Sequence, residues 1–92
     1  MNKYETWNKL KEPAPVVLED GSNYWRNIEG VNHREFGPAV VDLNGYKAWY
    51  INGVRHREDG PAIIWADGHR QWYINGVEYI EEEFNEQIRN IS

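Results

Sequence analysis

The phrase Trp-Tyr-Ile-Asn-Gly occurs twice, at Trp49–Gly53 and at Trp72–Gly76. A fixed period, here of about 23 residues, constrains the fold before any single residue is interpreted, because each copy must be one supersecondary unit that buries its apolar face against its neighbours. Other registers keep the step. Gly30, Gly53 and Gly76 follow it, as do His33 and His56, with Tyr79 in the third copy. Gly37-Pro38-Ala39 returns as Gly60-Pro61-Ala62, and Gly45 and Gly68 trail these by a constant distance. Pro13–Trp25 fits the same frame, with Gly21 as its turn and Pro13-Ala14-Pro15 in place of Gly-Pro-Ala. The chain therefore reads as a half unit, two full units and a closing half unit from Gly68 to about Tyr79.

Within a unit the local signals are all β. Asp20-Gly21, Asn44-Gly45 and Asp67-Gly68 stand between apolar runs and predict type I′ hairpin turns, as do Asn52-Gly53 and Asn75-Gly76. The connector His-Arg-Glu-x-Gly-Pro joins one hairpin to the next. Its proline has fixed φ and no N–H, so it is expected to open a strand. The fold class that follows is mainly β, an antiparallel meander of hairpins. The interval from Trp25 to Trp49 is one residue longer than that from Trp49 to Trp72, because Arg26-Asn27-Ile28-Glu29 stands where the later copies have Tyr-Ile-Asn. A β-bulge is expected there, turning Ile28 to the face of Trp25.

Alternation assigns the faces. Trp49 with Ile51, and Trp72 with Ile74, share one face; Tyr50 and Tyr73 take the other. Val17, Val41 and Ile64 are equivalent, and their neighbours of opposite parity are Leu18, Asp42 and Trp65. A position that accepts such different residues reads as solvent-facing. This places Trp25, Trp49 and Trp72 inside, removing roughly 600 Å² from water, on the order of 15 kcal/mol as an upper bound. Tyr50, Trp65 and Tyr73, with Ile63 nearby, are then expected on the outer face. Exposed aromatics grouped in this way are the candidate protein-binding surface.

The two ends depart from the pattern. Residues 1–12 carry Tyr4, Trp7 and Leu10 at helical spacing before Pro13 and Pro15, and are expected to cap the first hairpin. Over residues 80–92, Ile80, Phe84, Ile88 and Ile91 form a helical stripe. Glu81, Glu82, Glu83 and Glu86 complement the start of that helix, and Arg89 suits its end. A terminal helix closing the array of residues 13–79 is the expectation, within a single domain over 1–92.

Composition limits the partners. The chain has no cysteine, hence no disulfide and no thiolate metal site. Net charge is −5, which argues against nucleic acid or an anionic membrane as partner. No apolar run has the length of a membrane span, and the N-terminus has no signal-peptide pattern, so a cytoplasmic location is expected.

Trp-x-x-Asn-Gly-x-x-His, then Gly, then Asp-Gly, at this period resembles the MORN repeat. The matching residues are Trp49, Asn52, Gly53, His56, Gly60, Asp67 and Gly68, with counterparts Trp25, Gly30, His33, Gly37, Asn44 and Gly45. The resemblance covers about Pro13 to Tyr79. The usual His-Gly-x-Gly of that family is replaced here by His-Arg-Glu-x-Gly-Pro-Ala, a form that resembles a divergent group in tailed-phage and bacterial proteins. The resemblance implies a β-meander used for protein association, in some members for lipid contact, with no catalysis and no cofactor. The corresponding expectation is a phage-type accessory protein that binds and inhibits a host protein, such as a defence component, in the host cytoplasm.

His33-Arg34-Glu35 and His56-Arg57-Glu58 open equivalent connectors. A catalytic group is normally needed once, whereas a group repeated at the structural period is normally needed by the scaffold. The first reading is that they brace the connectors. The alternative is a sponge for nucleotides or small anions that uses His33, Arg34, His56 and Arg57. A third reading is a structural component that forms homo-oligomers. The histidines lie far apart in sequence without carboxylates at ligand spacing, so no metal is expected. No nucleophile elbow, P-loop or dinucleotide fingerprint occurs, so an enzyme is not expected.

Overall fold

The computed structural model describes residues 14–91, and the expected cap over residues 1–12 lies outside the described residues. The fold is mainly β. Among the described residues, nine short antiparallel strands are followed by one helix: β1 Val16–Val17, β2 Asn23–Tyr24, β3 Val40–Val41, β4 Lys47–Ala48, β5 Tyr50–Ile51, β6 Val54–Arg55, β7 Ile63–Ile64, β8 Arg70–Ile74, β9 Val77–Tyr79 and α1 Glu81–Ile91. Seven strands form one sheet in the order β1-β2-β3-β4-β7-β8-β9, and β5 pairs with β6 alone. The proline of each Gly-Pro-Ala stands just ahead of its strand, β3 after Pro38 and β7 after Pro61.

Around Trp49 the chain changes its pairing partner, whereas Trp72 lies within the continuous strand β8. Ala48 belongs to the main sheet opposite Ile63, whereas Tyr50 pairs with Arg55 in the second hairpin. Trp49 stands between, its N–H donated to the Ala62 carbonyl (2.8 Å) and its carbonyl accepting the His56 N–H (3.2 Å). Trp25 donates to Ala39 in the same way, 2.8 Å. The second hairpins then stack on one another through bonds that recur at the repeat step. Gly53 N–H reaches the Asn32 carbonyl (2.7 Å), and Gly76 N–H reaches that of Arg55 (2.8 Å). Arg34 N–H donates to Tyr50, and Arg57 N–H to Tyr73, each at 3.1 Å.

The turns divide into two kinds. Asn52 and Asn75 have φ of 49° and 50°, and each is followed by a glycine of positive φ, so these are the two-residue type I′ turns expected. At Asp20-Gly21, Asn44-Gly45 and Asp67-Gly68 only the glycine is left-handed, which corrects the type I′ expectation. These are three-residue loops closed at both levels, as in Asp42 N–H to Tyr46 (2.9 Å) and Gly45 N–H to Asp42 (3.1 Å). The residue before each glycine stays right-handed because its side chain has other work. Asp20, Asn44 and Asp67 accept the N–H two residues on, at 2.8, 3.0 and 2.9 Å. The Ser22 N–H holds the Asp20 carboxyl below the usual carboxylate range.

The extra residue of the first unit lies in its turn and not in a strand. Asn27 N–H bonds Val31 (2.9 Å) and Gly30 N–H bonds Asn27 (2.9 Å), the same three-residue loop, with Ile28 fully exposed at its tip. Ile28 thus does not join the face of Trp25. Gly53 and Gly76 spend their N–H on a neighbouring hairpin, whereas Gly30 spends it within its own turn.

The core is centred on residues expected on the outer face. Val16, Tyr24, Val40, Ala48, Ile63 and Gln71 are direct cross-strand neighbours and share one side of the sheet. From that side Val40, Ala48 and Ile63 join Ala62 and Tyr73 in the buried cluster, with Tyr24, Tyr46, Trp49 and Tyr50 packed against it. Tyr73 and Ile63 are 9 % and 2 % exposed, so they are core residues and not the outer face. Trp25, Trp49 and Trp72 are half-buried. The parity grouping of Ile63, Trp65 and Tyr73 holds, but the side they share is the inner one. Ala39, Ala48 and Ala62 are fully buried. A tryptophan, by contrast, is rarely enclosed completely and can be roofed by a cation instead.

Helix α1 packs on β8 and β9. It starts with Glu81, Glu82 and Glu83 and carries Arg89 in its last turn, as expected, and buries Phe84. Ile80 and Ile91, the ends of the expected stripe, are exposed. Among the described residues no helix is long and apolar enough to cross a membrane.

Candidate functional site

The two connectors carry equivalent side-chain arrangements. Arg34 lays its guanidinium over the Trp25 ring with Cζ 3.8 Å from the centroid, and Arg57 does so over Trp49 at 3.9 Å. Each also donates from Nη1 to the carbonyl of the connector proline, Pro38 at 3.3 Å and Pro61 at 3.0 Å. The glycine before each proline makes room for this. A Cβ on Gly37 would lie 3.1 Å from the Arg34 Cζ, and one on Gly60 2.9 Å from the Arg57 Cζ. Arg-x-x-Gly-Pro is therefore one device, in which proline aims a carbonyl, arginine takes it, and glycine leaves the space.

The histidines brace the next hairpin. His33 Nδ1 accepts the Asn52 N–H at 2.8 Å, and His56 Nδ1 accepts the Asn75 N–H at 2.9 Å. An Nδ1 that accepts leaves the ring proton on Nε2. That atom of His56 donates to the Glu58 carboxylate at 2.9 Å, and that of His33 lies 3.9 Å from Glu35.

An open groove lies along these connectors, lined among others by Arg34, Phe36, Trp49, Val54, His56 and Arg57. It brings together three of the four residues of the expected anion site; His33 is not among its walls. The guanidiniums, however, face the indole rings and the proline carbonyls, and Arg57 Nε also donates to Asp59 at 2.8 Å. Among the described residues no group of three or more His, Cys, Asp or Glu could hold a metal ion.

The expected outer-face surface is not assembled. Ile63 and Tyr73 are buried and Tyr50 is half-buried against the core. Trp65 alone of the four is exposed, at 42 %. It stands at the end of the inner side, edge-on to Tyr46 with centroids 5.0 Å apart, and donates from Nε1 to Gln71 Oε1 at 2.6 Å.

Phe36 was not foreseen. It lies in the groove and is 74 % exposed. Its counterpart one repeat on is Asp59, which holds Arg57. The first connector has no carboxylate at that place and has a phenyl ring instead. The signal was present in the sequence as the variable position of His-Arg-Glu-x-Gly-Pro.

No protein-family model, no curated protein and no solved structure matches the chain. The likeness to MORN repeats thus rests on the sequence motif alone.

Proposed function

We propose that this protein is a non-enzymatic interaction module that acts by occupying another protein through the connector groove around Phe36. The observation that carries this is the exposed phenyl ring at a position where the equivalent connector carries a structural carboxylate. Arg34, Arg57, His33 and His56 recur and have partners within the frame. Phe36 departs from the frame and is open to solvent. A large aromatic in that situation supplies rigid contact area at low entropic cost, which is why such residues dominate binding energy at interfaces. The anion-sponge reading is weaker on geometry, since both guanidiniums are turned to rings and carbonyls of the frame.

The test uses Phe36→Asp, which installs the residue of the equivalent connector. Wild-type and variant protein serve as baits in matched affinity captures, and the resemblance to phage-type proteins directs the search to bacterial lysate. A protein held by wild type and lost from the variant, with thermal unfolding unchanged, is the expected result. Identical captures by both baits would remove the groove from consideration. Capture of the chain's own copies alone would assign it to self-association.

A further inference from the structure

We propose that the groove selects a protein segment in which an apolar side chain adjoins a lysine or arginine. The proposal rests on the reading above and adds the chemistry of the partner.

The groove is lined by apolar side chains and carries exposed carboxylates at its rim. Trp49, Ile51, Val54 and Phe36 supply the apolar part. The rim carries Glu35, Glu58 and Asp59, whose side chains are 41 %, 58 % and 85 % exposed. The site's own cations cancel only part of this charge, Arg57 pairing with Asp59 at 2.8 Å. Each guanidinium lies face-down on an indole and donates to a proline carbonyl. Asp59 gives one oxygen to Arg57, and Glu58 gives one to His56. A carboxylate can accept about four hydrogen bonds, so both keep capacity toward solvent. The net charge of −5 biases the surrounding field in the same direction.

These features sort the ligands. An acidic segment meets like charge at the rim. A purely apolar one leaves the carboxylates to be desolvated without compensation. A segment with an apolar anchor beside a cation seats the anchor on Phe36 and places its ammonium or guanidinium among the rim oxygens. Charge-assisted bonds of that kind are short and about twice as strong as neutral ones. The groove is also open and not an enclosed cavity, which suits a chain segment better than a small molecule that needs most of its surface covered.

A random peptide library displayed on phage tests this. It is panned in parallel on immobilised wild type, Phe36→Asp and Glu58→Gln. The expected outcome is enrichment, on wild type over Phe36→Asp, of sequences pairing Leu, Phe or Trp with Lys or Arg. An enriched synthetic peptide should bind Phe36→Asp at least about tenfold more weakly, a loss of the size typical for a truncated interface anchor. Its affinity for wild type should fall several-fold on raising salt, as screening of exposed charges requires. Glu58→Gln should weaken it and reduce that salt dependence. Enrichment that depends on Phe36 but lacks positive charge would overturn the charge preference while leaving the groove as an interaction site. No enrichment dependent on Phe36 would overturn both.

Discussion

Arg57 is held by an indole face and by a carbonyl, and Gly60 is small so that both can be reached. Removing the guanidinium in Arg57→Ala forfeits a part-buried cation–π contact and a charged hydrogen bond, together about 1–3 kcal/mol. Gly60→Ala must push the same guanidinium away, because its Cβ would lie 2.9 Å from Cζ. Urea unfolding of the two single variants and the double should therefore show a double-mutant loss well below the sum. Strict additivity would mean that the glycine serves something else. A second residue-scale prediction concerns alkali. Burial raises the Tyr46 phenol above its ordinary value, and the charge of Asp42 raises that of Tyr24. A raised folded value favours the protonated form, so this stabilisation is complete below the unfolded value of about 10 and is lost as pH climbs through the folded one. Unfolding free energy should decline above about pH 10. Tyr46→Phe should decline less steeply; an identical slope would show that Tyr46 does not contribute.

At the level of the element, the second hairpins are joined edge to edge by a glycine amide and a histidine nitrogen. In His56→Ala the Asn75 N–H loses its acceptor at 2.9 Å, and its hydrogen exchange should accelerate. His56→Asn keeps an acceptor at nearly the same reach and should restore much of the protection. Unchanged exchange in His56→Ala would show that the stack does not depend on the imidazole. The strands, their antiparallel order and the terminal helix were legible in the sequence, because glycine spacing, proline and the Ile80-to-Ile91 stripe each have a local cause. Side assignment was not. Alternation says which residues share a face but carries no sign, and the variability of Leu18, Asp42 and Trp65 suggested that Trp49 faced inward. Ala48 and Ile63 form the buried layer, while Trp49 packs only partly against it and a guanidinium covers its ring. The three-residue loops were missed for a similar reason: Asp-Gly fits either turn, and the Asp67 bond to the His69 N–H decides between them.

For the molecule as a whole, what recurs and what does not divide into frame and surface. Gly30 keeps its amide within its own turn while Gly53 and Gly76 give theirs to a neighbour, so among the described residues the first hairpin ends the stack on its side. Helix α1 packs on β8 and β9 at the other. The candidate site was legible only in part. Arg34, His56 and Arg57 do line the groove, but their repetition marked them as scaffold, and Phe36, whose counterpart Asp59 has a different role, was hidden in a variable position. If Phe36 serves binding, it is not part of the frame. The most direct test is the urea unfolding free energy of Phe36→Asp beside that of wild type. Agreement within about 0.5 kcal/mol is expected, as for an ordinary surface substitution. A loss as large as that of Arg57→Ala would contradict it, because the ring would then be holding the fold.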